Sequence, residues 1–143
     1  MSDDRDHTVA TATVTSDEKP YGVRIDAGGH ALRGDEPADH GGADTGPAPF
    51  ALLLSGLGAC TAITLRMYAE RKGWVGFTAS GRFGHRTQDG RHLIERVLEV
   101  SGAPDAAAVQ RLAEIAEKTP VTLALKGGFT ISTELTEAAS ART

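Results

Sequence analysis

The chain has 143 residues, of which 40% are hydrophobic and 24% charged, a length and mix that suit one folded domain with a real core and exclude disorder. Its net charge of −4 leaves no basic footprint, which argues against nucleic acid and anionic membranes as partners. A single cysteine excludes an intrachain disulfide framework and the usual Cys-rich zinc sites.

The N-terminus lacks a basic segment followed by an apolar one, so no secretory signal is expected and the chain reads as cytoplasmic. One domain over residues 1–143 is expected, with 1–6 and 136–143 frayed. Residues 7–15 alternate Thr with Val and Ala and read as a strand. Segments 21–26 and 30–33 flank Ala27-Gly28-Gly29, which signals a hairpin. The Gly-, Asp- and Pro-rich stretch 34–49 reads as a loop.

Pro47 and Pro49 stand where a helix can begin, and the helix is expected to run from Phe50 to Lys72, with Gly73 as its stop. Its first turns are apolar all round, which predicts burial on every side. Its most apolar part, 50–62, is too short and too interrupted by Gly to suggest a bilayer span. Leu53, Leu57, Cys60, Thr64 and Met67 recur at helical spacing, which puts the cysteine on an apolar stripe. Gly56 and Gly58 each weaken a helix by about 1 kcal/mol, a cost most readily borne where another backbone or a ligand comes close. Alternation over 74–83 and 92–100 around Asp89-Gly90 predicts a second hairpin. A second helix is expected over 105–118, ended by Thr119-Pro120, and a last strand over 129–135. The order predicts an α+β fold rather than a βαβ repeat.

The stretch DEPADHGGADTGPAPFALLLSGLGACTAITLRMYAERKGW (35–74) closely resembles the signature region of the OsmC/Ohr family: a DEP loop with paired glycines, a Gly-Pro-x-Pro helix start and a Gly-Ala-Cys-Thr core. A second match is IAEKTPVTLAL (115–125), where the family has Ala-x-Lys-Cys-Pro-Val. The resemblance implies an OsmC-like fold, with antiparallel sheets around a long buried central helix and two chains intertwined as a homodimer. It also implies a thiol-dependent peroxidase that reduces organic hydroperoxides without cofactor or metal. By the same resemblance Cys60 is the peroxidatic nucleophile, and an arginine of the N-terminal region, Arg33 or Arg24, stabilises its thiolate. Phe50, Leu53 and Leu57 would line the substrate pocket.

Two positions depart from the family pattern. Thr119 occupies the place of the resolving cysteine, and a hydroxyl cannot form a disulfide, so an external thiol must act as reductant. Near the helix start, where the family carries a carboxylate, this chain has Phe50 and Ala51. Each residue also has a plainer reading. A lone cysteine often serves as a small buried hydrophobe, Thr119 can simply bond a free carbonyl at a helix end, and the acidic loop around Asp35 and His40 reads as solvated rather than metal-binding. A non-catalytic dimer that binds a small apolar ligand or senses redox state is the alternative function.

Overall fold

The computed structural model describes residues 6–139. Three strands, β1 (Ala12–Glu18), β2 (Gly22–Ala27) and β3 (His30–Gly34), form an antiparallel sheet in chain order. Most of the stretch expected as the first strand, before Ala12, stays outside this sheet, because the ladder with β2 begins only at the pair Ala12 and Ala27. The two-residue turn between β2 and β3 puts Gly28 and Gly29 at φ of 58° and 85°, the twist that a tight hairpin requires.

The loop that follows is organised by Asp35, which is buried. Its carboxylate accepts from the Glu36 amide (2.7 Å), the Thr45 amide (3.1 Å) and the Thr45 hydroxyl (2.6 Å), while its own amide donates to the Pro47 carbonyl (3.1 Å). These bonds, led by that from the Thr45 hydroxyl, hold the Asp35 carboxyl below the usual carboxylate range. A Cβ at Gly42 would overlap the Glu36 carbonyl, so this position has room only for glycine. The DEP-to-Pro segment is thus a closed loop that delivers the chain to helix α1.

Helix α1 runs Pro49–Arg71 with proline at its start, close to the predicted bounds. Strands β4 (Thr78–Gln88) and β5 (Arg91–Ser101) form the second hairpin, turned at Asp89-Gly90 with both residues at positive φ. Helix α2 (Ala106–Ala116) is capped by Asp105, whose side chain accepts from the Ala108 amide. Leu65, Ala69, Phe77, Leu112 and Ala116 form the core where α1, α2 and the hairpin meet.

Three expectations fail. A helix α3 (Pro120–Gly127) follows the Thr119-Pro120 break, where the sequence suggests only a short apolar run. Residues 129–135 form no strand, because no ladder partner stands beside them among the described residues; Phe129, Ile131 and Leu135 are exposed. The first half of α1 is not buried all round either. Its covered side is a narrow line, Leu57, Thr61, Leu65 and Ala69, while Phe50, Leu53, Ile63 and Met67 are 40–55% exposed. By length and composition alone α1 could cross a membrane, contrary to the reading of 50–62 by itself. Its covered face packs on β4, α2 and α3, and its last turns carry Arg66, Glu70 and Arg71. Residue 6 and residues 136–139 have no regular structure, and the rest of the segments expected to fray lies outside the described residues.

Candidate functional site

Cys60 is half-buried on α1. It sits within the sequence Leu53, Gly56, Cys60, Ile63, Met67, whose alternating spacing of three and four marks one continuous face of a helix. This face points away from the covered line of Leu57, Thr61 and Leu65, and no described residue would meet a Cβ at Gly56. Gly58 is different. It lets the Phe83 ring approach to 3.1 Å of where its Cβ would stand, so one of the two helix glycines serves packing within the chain. Among the described residues no hydrogen bond to the Cys60 sulfur forms.

The next residue, Thr61, is fully buried and starts a polar network. Arg96, from the inward face of β5, donates through Nη1 to the hydroxyls of Thr61 (3.1 Å) and Thr122 (3.2 Å). Its Nη2 donates to the Ala116 carbonyl (2.7 Å) and to Glu117 Oε2 (3.3 Å). One guanidinium therefore ties α1, the end of α2 and α3 together. Lys126 Nζ holds the other Glu117 oxygen at 2.7 Å. That bond, and then the one from Arg96, holds the Glu117 carboxyl below its ordinary value. Sequence reasoning missed Arg96, yet a signal was present: a charged residue on the same strand face as Ile94 and Leu98 needs buried partners.

Thr119 is fully buried and caps α3, its hydroxyl sharing a 2.6 Å hydrogen bond with that of Thr122 and accepting from the Thr122 amide (3.4 Å). It thus serves the start of the next helix rather than a free carbonyl of the last one. Arg33 and Arg24 both reach Asp17: the Arg33 Nη atoms lie 3.2 Å from its two oxygens, and Arg24 Nε lies 3.3 Å from one of them. Of the three expected pocket residues, Leu57 lines a cavity of about 390 Å³ that also touches Arg96. Leu53 is exposed, and Phe50 stacks on His85 with ring centroids 4.0 Å apart. His85 and His92 share a 2.8 Å hydrogen bond beside it. Among the described residues no three His, Cys, Asp or Glu side chains converge as metal ligands would.

Comparisons with known proteins agree on the fold. The sequence profile of the OsmC-like protein family matches residues 41–134. No curated protein matches the sequence. Among solved structures, an OsmC-like protein from Mycoplasma pneumoniae is similar at a TM-score of 0.66 and 19% identity, over 84% of this chain and 89% of that one. An organic hydroperoxide resistance protein OsmC from Legionella pneumophila gives 0.63 and 15%, over 86% and 93%. An organic hydroperoxide resistance protein from Elizabethkingia anophelis gives 0.62 and 20%, over 86% and 91%.

Proposed function

Because the chain belongs to the OsmC-like protein family, we propose that it works as a homodimer that reduces organic hydroperoxides through the Cys60 thiol, with an external thiol as reductant. The observation that carries this reading is the position of Cys60. The thiol is half-buried in the middle of an apolar helix face whose neighbours Leu53, Ile63 and Met67 are exposed. Solved structures of the same fold include organic hydroperoxide resistance proteins.

The chemistry follows from the thiol. The Cys60 thiolate attacks the distal oxygen of the hydroperoxide; an S–O bond forms, the O–O bond breaks, and the alkoxide leaves and takes a proton. One external thiol then condenses with the sulfenic acid, releasing water and giving a mixed disulfide. A second thiol attacks the outer sulfur of that mixed disulfide, expelling the Cys60 thiolate and leaving a disulfide of the two external thiols. Apolar neighbours Leu53, Ile63 and Met67 favour a carbon-rich hydroperoxide over a small polar oxidant.

The homodimer is supported by three apolar surfaces that the single chain leaves open. The first is the Leu53–Met67 face, whose spacing is that of a helix-to-helix seam. The second is the β1–β3 sheet, with Val14 and Leu32 exposed and no helix of its own chain packed broadly on it. The third is the tail with Phe129, Ile131 and Leu135. A second copy seated on the helix face would leave each thiol in an apolar cleft between chains, and the loosely attached sheet that carries Arg33 is the candidate to bring a cation to it.

One observation favours the second reading, a dimer that binds a small apolar ligand or senses redox state without turnover. The chain has a single cysteine, so no second thiol of the same chain can turn the sulfenic acid into a disulfide. Consumption of cumene hydroperoxide with dithiothreitol separates the two. The wild type is expected to turn over and Cys60→Ser to fall to the uncatalysed background, with excess peroxide progressively converting Cys60 to sulfinic acid. A wild type no faster than background, or an active Cys60→Ser protein, removes the peroxidase reading.

A further inference from the structure

We propose that the cavity between β5 and α3 binds a small monoanion, a carboxylate carried on a short flat or branched apolar body, and does so independently of Cys60. At about 390 Å³ it falls in the range of roughly 300–1,000 Å³ typical of small-molecule sites. Leu57 of α1, Ile94 of β5 and Leu125 of α3 supply its apolar wall, and the His92 ring, held by its bond to His85, adds a flat surface.

The polar end decides the class of ligand. Arg96, Lys126 and Glu117 line it, two cations against one anion, so the site carries a surplus positive charge. The hydrogen-bond inventory points the same way. Both Glu117 oxygens are engaged, Oε1 by Lys126 and Oε2 by Arg96, and the Thr122 hydroxyl already accepts from Arg96. By contrast, no described residue accepts from the Arg96 Nε–H. The ammonium of Lys126, with three N–H groups, reaches only the Glu117 carboxylate and, at 3.4 Å, the Glu117 carbonyl. Apart from the second ring nitrogen of His92, the polar side-chain atoms at this end left without a described partner are donors. A neutral apolar molecule would leave them unmatched and a cation would be repelled, whereas a carboxylate supplies acceptor oxygens and offsets the surplus charge.

Benzoate, with benzamide as its neutral counterpart, tests this on the full chain by amide chemical-shift titration and calorimetry at low ionic strength. Benzoate is expected to shift the amides around Ile94, Thr122 and Lys126 saturably, and benzamide to bind about tenfold more weakly or worse. Lys126→Gln, at an exposed side chain, should weaken benzoate by about tenfold, the loss of one charge-assisted hydrogen bond, and leave benzamide unaffected. Cys60→Ser should bind benzoate like the wild type even if all peroxide turnover is lost. Equal affinity for benzoate and benzamide, no saturable shift at these amides, full affinity in Lys126→Gln, or loss of binding in Cys60→Ser would each overturn the proposal.

Discussion

The part of the chain from α1 to α3 and the three-stranded sheet before it are built on different terms. In the first, α1, α2 and the β4–β5 hairpin close on a shared core, and Arg96 links the three helices through hydrogen bonds to two hydroxyls, a carbonyl and a carboxylate. The sheet of β1–β3 is paired along two ladders, with one register shift between Ser16 and Glu18, but has no comparable core. Its two inner ladders form while its apolar side chains Val14 and Leu32 stay exposed. The same contrast recurs across α1, where one side packs on its own chain and the other, with Cys60, is left open. Local hydrogen bonding can therefore form an element whose apolar side chains its own chain leaves exposed.

The largest effect should come from the closed region. Leu65→Ala removes a side chain only 2% exposed and should cost about 2–5 kcal/mol in urea unfolding. A cost below about 1 kcal/mol would mean that this core is no better packed than a surface. Ile63→Lys, only two positions away but 53% exposed, should change the stability of the individual chain by about 0.5 kcal/mol or less while converting dimers to monomers in sedimentation. An Ile63→Lys protein that remains dimeric would end the idea that this helix face is the seam.

The smallest effect concerns the loop between the two regions. Because the Asp35 carboxyl is held below its ordinary value of 3.8, its contribution is fully present above that pH and fades as the pH falls through 3.8 toward the folded value. Asp35→Asn lacks this contribution at every pH. The difference in melting temperature between wild type and Asp35→Asn should therefore be widest near neutrality and close below pH 3.8. A gap that stays constant with pH would assign the role of Asp35 to shape rather than charge.

Much of this organisation was legible in the residues. Pro47 and Pro49 fixed the start of α1, Gly28-Gly29 and Asp89-Gly90 marked both hairpins, and the helix expected over 105–118 is α2, which starts one residue later with Asp105 as its cap. Helix α3 was missed although Thr119 and Pro120 are a fitting cap and first residue, because eight residues give too little periodicity to stand out. The expected last strand was misread for the opposite reason: its alternation is clear, but alternation cannot supply a neighbouring strand. Arg96 escaped notice because its partners are distant in sequence. Thr61 is 35 positions away and Thr122 26, and nothing local predicts that they meet.

The sequence by itself determined where the turns and helix starts lie, that one thiol is present, and that this thiol falls on an apolar helix face, since all of these depend on residues within a few positions of one another. Only the tertiary structure decided which side of that helix is covered, that Thr119 is a cap engaged with Thr122, and that Arg96 gathers three helices around a charged cavity. Those outcomes depend on how separate elements pack, and packing is a property of the folded chain that no short window of sequence contains.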